Sequence, residues 1–176
     1  MSYVLVTDGA CSGNGTSAAR GGWAAILVEH GGEERVLTGG EVGSTNNRME
    51  LTAAIEGLRA TPDGAQVELI TDSSYVANAI SKRWLSSWQK RGWKTADKKP
   101  VANQDLWQAM IAQLIRVRVT TTLVKGHAGH EANERADKLA QAAAANPSGR
   151  PSAAATTPTA PLTNDGQLSL AVDDLA

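Results

Sequence analysis

The chain is expected to fold as an α/β domain, a five-stranded mixed sheet flanked by helices. Two apolar, β-branched runs, residues 3–7 (YVLVT) and 67–71 (VELIT), each end in threonine followed directly by aspartate. Between them the hydrophobic period changes from two to about 3.6 near residue 45. Beyond them strand and helix patterns alternate, which predicts parallel crossovers.

YVLVT is the first strand, and DGACSGNGTSAARGG reads as a turn-rich connection. WAAILVEH is the second strand and ERVLTGGEV the third, joined by the tight turn HGGE, so these strands form an antiparallel meander. Thr45 is placed to cap a helix with an apolar face of Met49, Ala53 and Ile55, widened by Leu51 and Leu58. Pro62, Asp63 and Gly64 end it. VELIT is the fourth strand, and Asp72 and Ser73 open the helix SSYVANAI behind it. Residues 82–90 read as helix, and RGWKTADKKP as an exposed loop. Another helix runs from near Val101 to Leu114, and RVRVTTTLV is the fifth strand. The last helix is EANERADKLAQAAAA, after the glycine-bearing loop KGHAGH. From about Ala142 the composition shifts to Ala, Pro, Thr, Ser and Gly, which can bury little and reads as a flexible tail. Residues 168–175 (LSLAVDDL) could form a short strand or a docking motif within it.

At 176 residues the chain is long enough for one domain with a substantial core. A net charge of -1 excludes a generic polybasic protein, yet residues 82–99 carry seven basic side chains against one acidic, Asp97. A near-neutral molecule can thus present a local phosphate-binding face. One cysteine, Cys11, excludes an intramolecular disulfide framework and a cysteine-cluster zinc site. The first residues lack a basic region ahead of an apolar run, and no stretch is long and apolar enough to span a membrane. A cytoplasmic, monomeric enzyme is the expectation.

Four acidic residues stand out: Asp8, Glu50, Asp72 and Asp137. Adjacent strands would bring Asp8 and Asp72 side by side, at the kind of strand end where α/β folds place their sites. Glu50 lies at the edge of the first helix's apolar face and Asp137 on the last helix, so both can reach toward the sheet. Each alone could be an ordinary cap or a solvated charge. Gathered together they would repel unless cations neutralised them. Hard divalent ions such as Mg2+ prefer oxygen ligands, and two ions about 3.5–4 Å apart would both activate water and offset charge on a leaving oxygen. His127, in the loop before the last helix, could move a proton near neutral pH or could simply be structural. His127 and His130 lack the cysteine and histidine partners of a zinc site.

The strings TDGACSGN, TNNRMEL, TDSSYV, KRGWKTADKKPVANQDLW and VKGHAGHEANERAD, in this order and spacing, closely resemble the bacterial form of the type 1 ribonuclease H family. The likeness covers roughly residues 2–146. It implies a ribonuclease H-like fold with strand order 3-2-1-4-5 in a catalytic domain over 1–146. A basic protrusion spans about 82–99, and 147–176 forms a flexible low-complexity tail whose protein contacts, if any, are unknown. It implies cleavage of the RNA strand of RNA/DNA hybrids, leaving 5′-phosphate and 3′-hydroxyl ends. Two Mg2+ ions would serve in the working complex, with Mn2+ as a possible substitute. The metal ligands would be Asp8, Glu50, Asp72 and Asp137, and His127 would be a mobile helper in proton transfer or product release.

The resemblance also carries substrate contacts. Cys11, Asn14 and Asn46 would line the minor groove, and Thr45 would sit in a pocket for a DNA phosphate. Asn47 and Ser74 would lie near the scissile region, and Asn103 and Trp107 beside the DNA-binding channel. Trp84, Lys90, Arg91, Trp93, Lys94, Lys98 and Lys99 would form the protrusion's grip. Polar groups near the 2′-hydroxyls of one strand and a cationic grip on the other suit a hybrid-specific enzyme. The chain departs from the family in a longer, less proline-rich loop after Asn14 (GTSAARGG), in Ala24 for a common glycine, and in Thr121 for a common tryptophan. A related-fold DNA nuclease and a non-catalytic hybrid-binding module are the competing readings. The KGHAGH and TNNRMEL strings and the basic segment argue against the first, and the four acidic residues against the second.

Overall fold

The computed structural model describes residues 1–125, 129–147 and 152–157. The meander comprises β1 (Ser2–Ser12), β2 (Arg20–Glu29) and β3 (Glu34–Val42). Helix α1 (Asn46–Arg59), β4 (Gln66–Thr71), α2 (Ser74–Ser81), α3 (Trp84–Lys90) and α4 (Gln104–Arg116) follow, then β5 (Arg118–Leu123) and α5 (Glu131–Ala145). The five strands stand in the expected order 3-2-1-4-5, with β1 antiparallel to β2 and parallel to β4. A sixth strand, β6 (Ser152–Thr157), adds antiparallel to the outer edge of β3. It falls in the stretch expected to be a flexible tail, where an alanine-rich composition carries little strand signal. The segment 168–175 and His127 lie outside the described residues.

Alternation along β1 explains the layering. Tyr3 and Leu5 point to one face, with Trp23, Leu27 and Leu69, against α1 and α4. Val4 and Val6 point to the other, with Ile26, Val28 and Ile70, against α5. Both faces of the sheet are covered, so its central strands are apolar at nearly every position.

Glycines set how closely the helices approach. A Cβ at Gly9 would collide with the α1 backbone at Met49 and Glu50. At Gly22 on β2 it would strike the α5 backbone at Ala140 and Ala144. Helix α5 presents the buried stripe Ala132, Ala136, Ala140 and Ala144, small enough for that contact. A half-buried ion pair joins β3 to α5, with the exposed Arg135 guanidinium donating to both oxygens of buried Glu34 at 2.7 and 2.5 Å.

The first strand is longer than its apolar core predicted. It continues through Asp8 to Ser12, because β2 supplies a ladder as far as Ser12↔Arg20. Asp8 is therefore within a strand, opposite Ala24, and not in the turn that follows. It lies one step past the final parallel pair, Thr7↔Thr71.

Candidate active site

The acidic site forms where β1 loses its parallel neighbour. Beyond Thr71 the chain of β4 turns into α2, so Asp72 is left beside Asp8 at the open end of the sheet. Ser73 makes that turn, its hydroxyl accepting from the Val76 amide at 3.2 Å as the cap of α2. Glu50 comes from the opposite face. Thr45, extended at φ -131°, caps α1 by accepting from the Arg48 amide at 3.2 Å, and the close contact at Gly9 seats the helix. Each of Asp8, Glu50 and Asp72 offers an oxygen within 4.8 Å of the others.

Burial makes this concentration of charge costly. Asp8 and Glu50 are each only 4% exposed, and Asp72 is half-buried. The Gly9 amide donates to Asp8 Oδ1 at 2.8 Å, while Glu50 Oε2 is buried with no hydrogen-bond partner among the described residues. Burial, and then the charge of Asp72, push the Asp8 carboxyl up to about 6. Burial, and then the charge of Asp8, raise Glu50 as well. A buried oxygen without a donor, facing two more carboxylates, is the donor set of a hard divalent cation. The residues present fit such an ion, and Asp8, Glu50 and Asp72 would hold it.

Asp137 stands slightly apart on α5. It lies outside the tight trio, yet its charge contributes to raising Asp8. Its Oδ2 accepts from the Gln141 side-chain amide at 2.9 Å, one turn further along the helix. Gln141 went unnoticed in the sequence, although its i+4 spacing from Asp137 was a readable signal.

The residues expected along a hybrid fall into groups. Asn14, Thr45, Asn46 and Asn47 meet at the start of α1, where Asn14 Oδ1 accepts from the Asn46 amide at 2.8 Å. Cys11 is half-buried on β1, its thiol directed at the Ser44 carbonyl at 3.6 Å. Ser74, exposed, opens α2. Lys90, Arg91, Lys94, Lys98 and Lys99 are all exposed. The loop carrying the last three is compact: Lys94 bridges Pro100, the Thr95 amide donates to the Lys99 carbonyl at 2.8 Å, and Trp93 and Lys98 take left-handed φ values of 61° and 63°. Trp84 and Trp93 are half-buried and pack on the core, as does Trp88.

Trp107, expected beside the DNA-binding channel, has its ring turned into the core. It is fully buried, with Trp88 at 5.5 Å and Tyr75 at 5.2 Å between ring centroids. Its indole N–H donates to Tyr75 Oη at 3.0 Å, and Asn103 Nδ2 donates to the same oxygen at 3.2 Å. Its part is to hold Tyr75, and through it Asn103. The helical spacing of α4 carried the signal, since Trp107 shares a face with Met110. Arg48, inside the TNNRMEL string, also went unassigned. Its guanidinium grips Asp105 on α4 through two hydrogen bonds of 3.0 and 2.8 Å.

A mixed sheet with buried carboxylates at the junction of its parallel and antiparallel halves, in a chain with the family matches that follow, places the protein among metal-dependent nucleases. The RNase H family model matches residues 1–145. The ribonuclease H of Phenylobacterium zucineum is 56% identical over 138 residues, covering 78% of this chain and 87% of that protein. That of Thermus thermophilus is 51% identical over 138 residues, covering 78% and 81%. The crystal structure of LC9-RNase H1, described as a type 1 RNase H with the type 2 active-site motif, aligns with a TM-score of 0.74 at 32% identity, over 87% of this chain and 77% of that one. The chain belongs to the ribonuclease H family, in its bacterial type 1 form.

Proposed function

We propose that the enzyme hydrolyses the RNA strand of RNA/DNA hybrids, using Mg2+ with Mn2+ as a substitute and leaving 5′-phosphate and 3′-hydroxyl ends. The observation that carries the reading is the trio Asp8, Glu50 and Asp72, buried and crowded at the sheet junction of a chain of this family. Bound divalent ions would neutralise the carboxylates and act as Lewis acids toward the phosphate undergoing displacement. The protein's own contribution is rigidity. Asp8 is held in the β1–β2 ladder opposite Ala24, Glu50 is seated by a glycine contact, and Asp72 is fixed by the capped start of α2. Oxygens that need not reorganise when charge develops are an efficient catalyst.

The start of α1 is the part of this reading that addresses the hybrid itself. Asn14, Asn46 and Asn47 offer short polar groups suited to base edges and 2′-hydroxyls, with Cys11 beside them. Thr45, whose oxygen accepts within the cap, keeps its hydroxyl proton for a phosphate. Ser74 and Asn103 border the same face, and Trp84, Trp93 and the five protrusion cations grip the DNA strand. Asp137 completes the metal ligands, and His127 is assigned the helper role on its motif alone. A cytoplasmic, monomeric enzyme completes the reading; no helix among the described residues is long and apolar enough to cross a membrane.

Wild type and Asp8→Asn are compared on end-labelled RNA/DNA, RNA/RNA and DNA/DNA duplexes, and on DNA with one embedded ribonucleotide, with Mg2+, with Mn2+ and with chelator. Metal-dependent cutting of the RNA strand of the hybrid alone, abolished by Asp8→Asn, is expected. Cutting of DNA/DNA instead would replace this reading with a DNA nuclease.

A further inference from the structure

A groove of about 580 Å³ begins two residues beyond Asp8 along β1, between Ala10, Cys11 and Ser12, Arg20 on β2, and Gln141, Ala144 and Ala145 on α5. Its position follows from strand alternation. Asp8, Ala10 and Ser12 share the α5 face of β1, and their partners on β2 are Ala24, Gly22 and Arg20. The floor thus runs from Asp8, over small side chains, to a cation about 13 Å further along the strand, four residues at the usual rise. The α5 wall is small as well, apart from Gln141, whose amide holds Asp137.

Arg20 closes the loop that sets this chain apart after Asn14. That loop is folded: the Thr16 hydroxyl donates to the Gly13 carbonyl at 2.7 Å, the Ala19 amide to Thr16 at 3.2 Å, and the Gly43 amide to Ala19 at 2.8 Å. The backbone of Arg20 is held on both sides, opposite Ser12 on β1 and Val42 on β3. Among the described residues its exposed guanidinium makes one hydrogen bond, at 3.3 Å to the Ala145 carbonyl at the end of α5. That leaves most of its five donors facing the groove or solvent.

We propose that Arg20 binds a backbone phosphate of the RNA strand, displaced along β1 from the one held at the carboxylates, so that the groove is a substrate subsite. This rests on the hybrid reading above. A polyanionic strand lying over Asp8 continues along the only small-residue path this face of β1 offers, and Arg20 is the cation on it. Arginine suits the task because its planar fork can hold a phosphate through two hydrogen bonds.

The test uses the full chain carrying Asp8→Asn, with and without Arg20→Ala or Arg20→Lys. Binding is measured to hybrids in which each phosphate in turn, first of the RNA and then of the DNA, is replaced by a neutral methylphosphonate. Arg20→Ala should weaken binding by about three- to tenfold, as expected for one charge-assisted hydrogen-bonded pair at an exposed site. It should also flatten the dependence on log salt by about one. Neutralising one particular RNA phosphate should weaken binding to the parent and leave Arg20→Ala unaffected, with Arg20→Lys intermediate. A merely structural cap on α5 would lower the melting temperature and leave the phosphate profile unchanged. That profile, or sensitivity confined to a DNA phosphate, would overturn the proposal while the hybrid reading stands. Failure of the parent to bind any hybrid would overturn both.

Discussion

Gly9 packs directly against Glu50: a Cβ at position 9 would lie 2.5 Å from the Glu50 amide nitrogen and 2.7 Å from the Met49 carbonyl carbon. The residue beside one carboxylate of the acidic trio thus determines where the next one stands. Backbone cannot yield as a flexible side-chain tip can. Gly9→Ala should therefore destabilise the protein by about 1–3 kcal/mol, the usual cost of overpacking. It should also lower kcat by about tenfold or more, because small misplacements at a reacting centre are expensive. Urea unfolding and single-turnover kinetics measure the two effects; a variant with wild-type stability would remove the packing argument.

The buried carboxylates predict an unusual dependence of stability on pH. An unfolded Asp or Glu loses its proton near pH 4. Folded Asp8 keeps its proton up to about 6, and Glu50 is raised too, so across that window the native state binds more protons than the unfolded chain. Stability contributed by these groups is therefore full at low pH and declines as pH rises through the folded values. The metal-free wild type should lose stability from about pH 4 upward, through about 6 for Asp8 and on toward about 10 for Glu50, and Asp8→Asn should lose less and melt higher at neutral pH. Adding Mg2+ should raise the wild-type melting temperature at neutral pH and affect Asp8→Asn much less. Parallel pH profiles for the two proteins, with and without metal, would contradict the assignment.

Tyr75 is the shared acceptor for Trp107 and Asn103. Tyr75→Phe leaves a fully buried indole N–H without a partner, at a cost of about 1–3 kcal/mol. It also leaves Asn103 held only through Arg48, whose guanidinium donates to Asn103 Oδ1 at 3.4 Å, so KM for hybrid should rise while kcat changes little. Chemical denaturation and steady-state kinetics test both.

The compact loop that ends in Lys98 and Lys99 predicts binding rather than chemistry. Neutralising Lys90, Arg91, Lys98 and Lys99 together should raise KM more than it lowers kcat, the mark of uniform binding. The salt dependence of binding should become shallower by about one for each phosphate the variant no longer neutralises. A fall in kcat alone would give the segment a different role.

Much of this architecture was readable in the amino acids, and the exceptions share a physical origin. Caps at Thr45 and Ser73 and the five-strand order rest on local chemistry and period, which a sequence displays directly. The extension of β1 through DGACS does not. Polar and glycine-bearing residues read as a turn, and only the neighbouring β2 recruits them into a ladder. The burial of Trp107 has a similar origin, because the family likeness places it beside a binding channel and only the packing of α4 on Tyr75 and Trp88 turns its ring inward. Asp8, Glu50 and Asp72 were legible as candidates through their flanking strings. The close glycine contact that brings two of them together was not, since it involves backbone atoms far apart in the chain.

Helix α1 begins with Thr45, Asn46 and Asn47, is tied to α4 through Arg48, and delivers Glu50 to the acidic trio. From Asn46 to Glu50 is four residues of one rigid rod, about 6 Å of axial rise. In the proposed complex, the groups that feel the shape of the duplex and a group that supports its cleavage would therefore be marks on a single ruler. The cut would be measured from backbone geometry and not from the identity of the bases, and such an enzyme would act along a hybrid of any sequence.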